Sequence, residues 1–225
     1  SGFIGVDKDW NDVTTWSCSL DSRYVPYVKK QNERLRDRFL HISGTNFPQM
    51  APKYEWFKRE FPEESKRIAK YLMISGYVIG RLGDLPIEDA VIDRSYTTWT
   101  GLADIRSFRW SEEICNEIGL ARRFLPRIVG SNEVCGKLSP RMAKELGLPS
   151  GIPLVSGAGD KVTGCLGAAV VEDGDTILEA SSYGEISCCV GDIRPDDTQR
   201  RLDYLPAAVD GKYYATHFAA GSGIT

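Results

Sequence analysis

The chain has 225 residues, 42% hydrophobic and 26% charged, with a formal net charge of −3 and a pI near 5.5. That balance fits a soluble α/β-sized domain, or one domain with part of another, able to bury a core. It leaves no global basic field: the basic residues at 29–38 are interleaved with Glu33 and Asp37, which disfavours nucleic-acid binding.

No apolar run approaches the ~20 residues of a membrane span, and the N-terminus has no signal-peptide core. The six cysteines, at 18, 115, 135, 165, 188 and 189, show no Cys-x-x-Cys spacing and lie mostly in apolar surroundings. Reduced thiols in a cytoplasmic protein are therefore expected. His41 and His217 belong to no ligand-like cluster, and no metal site is expected from the residues.

In chain order, residues 3–6 and 13–17 read as two strands joined by a polar turn at 7–12. Residues 24–42 form an amphipathic helix with Tyr27, Leu35 and Phe39 on its apolar side, and 44–52 a loop. Two short helices are predicted at 53–61 and 63–71, separated at Pro62. Residues 74–82 are apolar and buried, 83–88 a turn, and 97–110 a loop or edge strand. Ser111 opens a helix with Glu112 and Glu113 in its first turn, running to about Ile118, and Ser139 opens another that ends at Gly147. Ile152 to Val155 reads as a short buried strand, and 176–180, 185–190 and 213–217 as further strands. The alternation argues for α/β architecture, with 152–155, 176–180 and 185–190 expected in one sheet.

The most informative stretch is 157–171. After the strand at 152–155, Ser156 to Gly159 makes a tight glycine turn, and Val162, Cys165, Leu166 and Ala169 then recur at helical spacing. Asp160 thus falls in the first turn of a helix, beside a backbone bare enough for a substrate to approach. Position alone would be explained by an N-cap aspartate.

The strand, the Gly-Ala-Gly-Asp turn and the Gly/Ala-rich helix resemble the segment that carries the catalytic base of the FGGY family of carbohydrate kinases, in particular its xylulokinase branch. Other pieces follow the family's order. Lys53 to Glu60, with Lys and Trp three apart, is similar to the second half of an FGGY signature. Gly76 to Leu82, Ile-Asp-Arg-Ser-Tyr, the run from Gly101 through Glu113, Leu-Pro-Arg-Ile-Val and Gly-Lys-Leu-Ser-Pro then lead up to Asp160. The resemblance implies an incomplete actin-like ATPase (RNase H-like) domain of a sugar kinase. Residues 1–175 would be most of the N-terminal, sugar-binding domain, and 176–225 the strands that start the C-terminal, ATP-binding domain.

It further implies transfer of the ATP γ-phosphoryl group, with Mg2+, to a hydroxyl of a pentulose such as xylulose or a related sugar or polyol, Asp160 acting as general base. The expected partners are that sugar and ATP, with a homodimer as a possible assembly. Leu20 to Arg23 resembles the family's Trp-x-Asp-x-Arg segment, so Asp21 and Arg23 become candidate substrate residues; a plain surface pair would look the same. Ser19 stands where the family has Trp. Ser181-Ser182-Tyr183-Gly184 stands where the family has a Gly-Thr-Ser-Gly-like phosphate turn, so Ser182 and Gly184 are the candidate phosphate residues and a ligand-free hairpin turn is the alternative. Residues 3–7 look like the opening of the first phosphate motif, but Lys8-Asp9-Trp10 replaces its Gly-Thr turn, which reads as an internal fragment. Ser19, Ser181 and Tyr183 favour a second reading, a non-catalytic sugar-binding or regulatory relative.

Overall fold

Two aromatic-rich helices laid against a small sheet build the larger core, and a glycine-led helix laid against a second sheet builds the smaller one. The computed structural model describes residues 2–18, 20–180 and 183–220. Its first half runs β1 (Gly2–Val6), β2 (Ser17–Cys18), α1 (Val25–Ser43), α2 (Met50–Glu60), α3 (Pro62–Ser65), β3 (Lys70–Leu72), α4 (Ile74–Gly83), β4 (Val91–Asp93) and α5 (Thr97–Thr100). There follow β5 (Ala103–Asp104), β6 (Arg109–Trp110), α6 (Glu112–Glu117), β7 (Arg127–Val129), β8 (Val134–Lys137) and α7 (Pro140–Leu146). The last third holds β9 (Pro153–Val155), α8 (Asp160–Gly167), β10 (Thr176–Glu179), β11 (Tyr183–Val190), β12 (Asp203–Pro206) and β13 (Tyr213–Ala220).

Local chemistry explains most boundaries. Pro26 opens α1 without sacrificing a hydrogen bond, and Gly44, at φ +69°, closes it with its N–H on Leu40. The Ser111 and Ser139 hydroxyls accept the backbone N–H groups of Ile114 and Met142, capping α6 and α7 at the residues expected. Leu35 and Phe39 of α1 are fully buried and pack with Tyr54, Trp56 and Phe57 of α2; Tyr71 of β3 stacks on Phe3 of β1 with ring centroids 4.9 Å apart. In the smaller core, Val162 and Cys165 of α8 meet Cys189, Leu205 and Tyr214 from β11, β12 and β13.

Several expectations change. The segment 152–155 does not join 176–180 and 185–190: β9 pairs antiparallel with β8, whereas β10 and β11 belong to a four-stranded antiparallel sheet in the order β10-β11-β13-β12. Pro153 lacks a donor and suits such an edge ladder. The segment is not buried either, since Ile152 is 38% and Val155 49% exposed. The predicted helix at 63–71 stops at Ser65, because Tyr71 and Leu72 are captured opposite Gly5 and Ile4 of β1. The predicted strand at 13–17 shrinks to Ser17–Cys18, Val13 and Thr14 both donating to the single carbonyl of Gly5. At 97–110, the Thr97, Thr98 and Thr100 hydroxyls donate to backbone carbonyls of Arg94, Tyr204 and Thr97, which stabilises a one-turn helix where β-branched residues suggest a strand.

Helix α4 lies against β4 in close backbone approach. A Cβ built on Gly76 of α4 would lie 1.9 Å from the carbonyl oxygen of Val91 in β4. Gly76→Ala must therefore push α4 off β4, and we expect a loss of ~1–3 kcal/mol, read as a lower urea midpoint at unchanged m-value.

Candidate functional site

The first turn of α8 rests on a buried polar support. Asp93 ends β4 and is 1% exposed; one carboxylate oxygen accepts the N–H of Ser95 at 2.8 Å and the Ser95 hydroxyl, the other the Ser156 hydroxyl at 3.3 Å. The Ser95 hydroxyl in turn accepts the N–H of Gly159 at 2.7 Å. That bond locks the residue before the helix. Gly159, not Asp160, is the N-cap; Asp160 is the first helical residue, so the simple capping account of this aspartate does not hold. Its carboxylate is exposed and, among the described residues, accepts only the adjacent N–H of Lys161 at 3.0 Å. Gly157, at φ +70°, makes the turn that separates β9 from α8.

Asp160 lies in a cleft of about 370 Å³. Leu20, Trp99, Leu205 and Phe218 supply apolar walls, with Phe47 at the rim, and Gln49, Ser95, Tyr96, Lys161 and Asp203 supply polar groups. Trp99 and Phe218 meet edge to face at 5.3 Å, tying α5 to β13. Asp203 is buried and its carboxyl is pushed up by that burial, even though it accepts from the Asn46 N–H at 2.8 Å and the Thr45 hydroxyl at 3.2 Å. Its part is to hold the 44–49 loop at the cleft mouth. The phenol of Tyr96 is pushed up by burial and by the neighbouring negative charge of Asp160, so it stays a neutral hydrogen-bond donor.

Asp21 and Arg23 fold onto each other. Arg23 Nε donates to Asp21 Oδ1 at 2.9 Å and its second terminal nitrogen to Oδ2 at 2.8 Å, while the Ser17 hydroxyl adds a third bond at 2.8 Å. The guanidinium beside it holds the Asp21 carboxyl well below the usual range. The neighbour that enters the cleft lining is Leu20; Asp21 and Arg23 do not. The Lys-x-x-Trp spacing has a physical cause here. Trp56 lies under the Arg23 guanidinium at 4.7 Å, and Lys53, fully buried, donates to the carbonyls of Ser17 and Cys18 at 3.0 and 2.9 Å. One helix face thus clamps both ends of the 17–23 segment.

Of the phosphate candidates, Ser182 lies outside the described residues, as do Ser181 and Ser19. Gly184 is already within β11, opposite Ala219, rather than in a turn. Sequence reasoning missed Asp93 and Ser95 as the support of Asp160, although an Asp-x-Ser following the apolar pair Val91-Ile92 is a recognisable turn signal. Asp203 and Lys161 had no local signal, since their partners are remote in the chain.

Two measurements follow from this geometry. Ser95→Ala leaves the Gly159 N–H buried without a partner and should cost ~1–3 kcal/mol in chemical denaturation, with more than Ser95→Thr costs. Burial pushes Lys53 down from 10.5 to about 8, with Asp21 opposing. Between those values the unfolded chain binds the extra proton, so this site's contribution to stability rises with pH, by on the order of 3 kcal/mol across the window. The stability of wild type relative to Lys53→Met should accordingly improve from pH 7 to pH 10; a flat difference would contradict the buried ammonium.

Residues 1–167 match the model of the FGGY family of carbohydrate kinases, N-terminal domain. The chain is 28% identical over 189 residues to a xylulose kinase of Bacillus subtilis, covering 82% of this chain and 37% of that protein. It is 27% identical to a gluconokinase of the same organism, over 89% of the chain and 39% of the relative, and 25% identical to an autoinducer-2 kinase of Klebsiella pneumoniae, over 96% and 41%. The chain thus spans about two fifths of the length of these relatives. In fold it is similar to a xylulose kinase from Rhodospirillum rubrum, with a TM-score of 0.88 at 21% identity, covering 99% of this chain and 45% of that one. A family match over most of the chain, with the glycine turn and Asp160 inside it, makes this chain a member of the FGGY family of carbohydrate kinases.

Proposed function

We propose that the protein transfers the γ-phosphoryl group of ATP to a hydroxyl of a pentulose such as xylulose, or a related sugar, with Asp160 as general base. The observation that carries this is a solvent-facing carboxylate at the head of α8, in a cleft, on a turn that the buried Asp93–Ser95 pair holds in place. The cleft suits a polyhydroxy substrate: Trp99 and Phe218 offer apolar faces to its C–H groups, and Tyr96 offers a hydroxyl to its oxygens.

In the proposed step the sugar oxygen attacks the γ-phosphorus as its proton passes to the Asp160 carboxylate. The bond from the β–γ bridging oxygen to that phosphorus breaks, and ADP departs. Asp160 orients the hydroxyl and takes the proton, while Tyr96 and Ser95 bound the space the hydroxyl can occupy. Among the described residues no group of three or more His, Cys, Asp or Glu side chains gathers at one point, so a Mg2+ ion arriving with ATP would be held chiefly by the phosphates and by water.

On this reading residues 1–175 are the sugar-binding domain and 176–225 begin the ATP-binding one. Ser182 and Gly184 then serve the phosphates, and Asp21 and Arg23 act on the sugar through the segment they brace, which carries Leu20. Among the described residues no helix is long and apolar enough to cross a membrane, and all six cysteines are unpaired. Both features are compatible with work in the cytoplasm, where ATP is available.

Asp160→Asn in the full-length protein tests the assignment. Turnover of D-xylulose or gluconate, whichever the wild type prefers, should fall ~10²- to 10⁴-fold with KM for the sugar little changed. The melting temperature should barely move, since the side chain is exposed and the cap is Gly159. Retention of more than roughly a tenth of kcat would remove Asp160 from the role of base. A wild type that binds sugar without turnover would favour the non-catalytic reading.

A further inference from the structure

Two glutamates face each other near the tip of the β10–β11 hairpin. Glu179 and Glu185 are direct cross-strand partners in the antiparallel ladder, the last pair before the tip. Like charges in that relation repel and weaken strand pairing. The Glu185 side chain is moreover only 1% exposed, and a buried carboxylate with no counter-charge is strongly unfavourable.

The counter-charge comes from α8. Lys161 Nζ lies 2.5 Å from Glu179 Oε2 and 3.0 Å from Glu185 Oε2, and its own side chain is 21% exposed. The Ser187 hydroxyl holds the other oxygen of Glu185 at 3.0 Å. Burial pulls the ammonium down, but the two carboxylates outweigh it and hold Lys161 in its charged form. The same residue reaches the other way along its main chain, its N–H donating to Asp160 Oδ1.

We infer that Lys161 is a positioning residue that couples the Asp160 turn to the Glu179–Glu185 end of the β10–β11 ladder, its ammonium being the counter-ion those two carboxylates share. The inference rests on the proposed kinase reading for its functional half, in which the segment between β10 and β11 serves the ATP phosphates. Lys161 then does two things. It keeps the hairpin docked at a fixed distance from the base, and it neutralises one of the pair's two negative charges, which lowers the repulsion felt by an incoming triphosphate.

The test uses the full-length protein and three variants: Lys161→Met, Lys161→Arg, and Lys161→Met combined with Glu179→Gln and Glu185→Gln. Steady-state KM values for ATP and for the preferred sugar are read together with hydrogen exchange of the amides at 176–188. Lys161→Met should raise KM for ATP ~10-fold or more, leave KM for the sugar within about twofold, and speed exchange in the hairpin. Arg should keep wild-type values, and the triple variant should recover both readouts because the repulsion is gone.

An unchanged KM for ATP with Lys161→Met, or a rise confined to the sugar KM, would overturn the coupling; the latter would make Lys161 a sugar contact. Should Lys161→Met fail to fold, the triple variant decides: recovery supports the shared counter-ion and continued failure refutes it. If the wild type phosphorylates no sugar, the kinase reading fails separately, and unchanged hairpin exchange in Lys161→Met would still refute the clamp.

Discussion

The position of Asp160 depends on one buried hydrogen-bond relay, from the Asp93 carboxylate through the Ser95 hydroxyl to the N–H of Gly159. An ionisable group with 1% exposure is tolerated because three donors are arrayed around it, two of them from Ser95 itself. The relay joins β4 to the head of α8 across more than sixty residues of chain. Among the described residues, it leaves Asp160 with just the bond from the next residue's N–H. A carboxylate freed in this way can interact with whatever enters the cleft.

Support from behind is a recurring arrangement in this molecule. Asp203 is buried and holds the 44–49 loop; Lys53 is buried and holds the carbonyls of Ser17 and Cys18; Glu185 is buried and meets Lys161. Each is an ionisable group taken out of water, and each orders a segment at the cleft or behind it. Such groups are costly to bury, so their presence beneath loops rather than in the centre of the aromatic core is informative. They restrict loops that hydrophobic contact alone would leave free to slide.

The two cores divide this labour. The aromatic core of α1, α2, β1 and β3 supplies a rigid base for the 17–23 segment, through Trp56 and Lys53. The smaller core beneath α8 anchors that helix by Val162 and Cys165 against β11, β12 and β13, and Tyr214 adds a bond from its hydroxyl to the carbonyl of Val170. The outer side of α8 is left open: among the described residues nothing lies within 4 Å of a Cβ placed on Gly164 or Gly167, and Leu166 is 44% exposed. Leu178 and Ile186 on β10 and β11 are exposed as well, at 71% and 46%, so the sheet on which α8 sits also turns apolar side chains outward.

Amino-acid order by itself determined the features set by local chemistry. The Ser111 and Ser139 caps, the proline start of α1, the glycine ends of α1 and α7, and the glycine turn that places Asp160 at a helix start are each specified within a few residues. The family resemblance was legible for the same reason, since its motifs are short and ordered. Tertiary structure decided which strands pair, because ladder partners are chosen by burial and register between distant segments. Tyr71 left its helical pattern to stack on Phe3, and β9 took β8 rather than β10. It also decided which polar residues serve the site. Asp21 and Arg23 satisfied each other, while Ser95, Asp203 and Lys161 acquired their parts from partners that lie 18 to 158 residues away along the chain, a relation that no local pattern encodes.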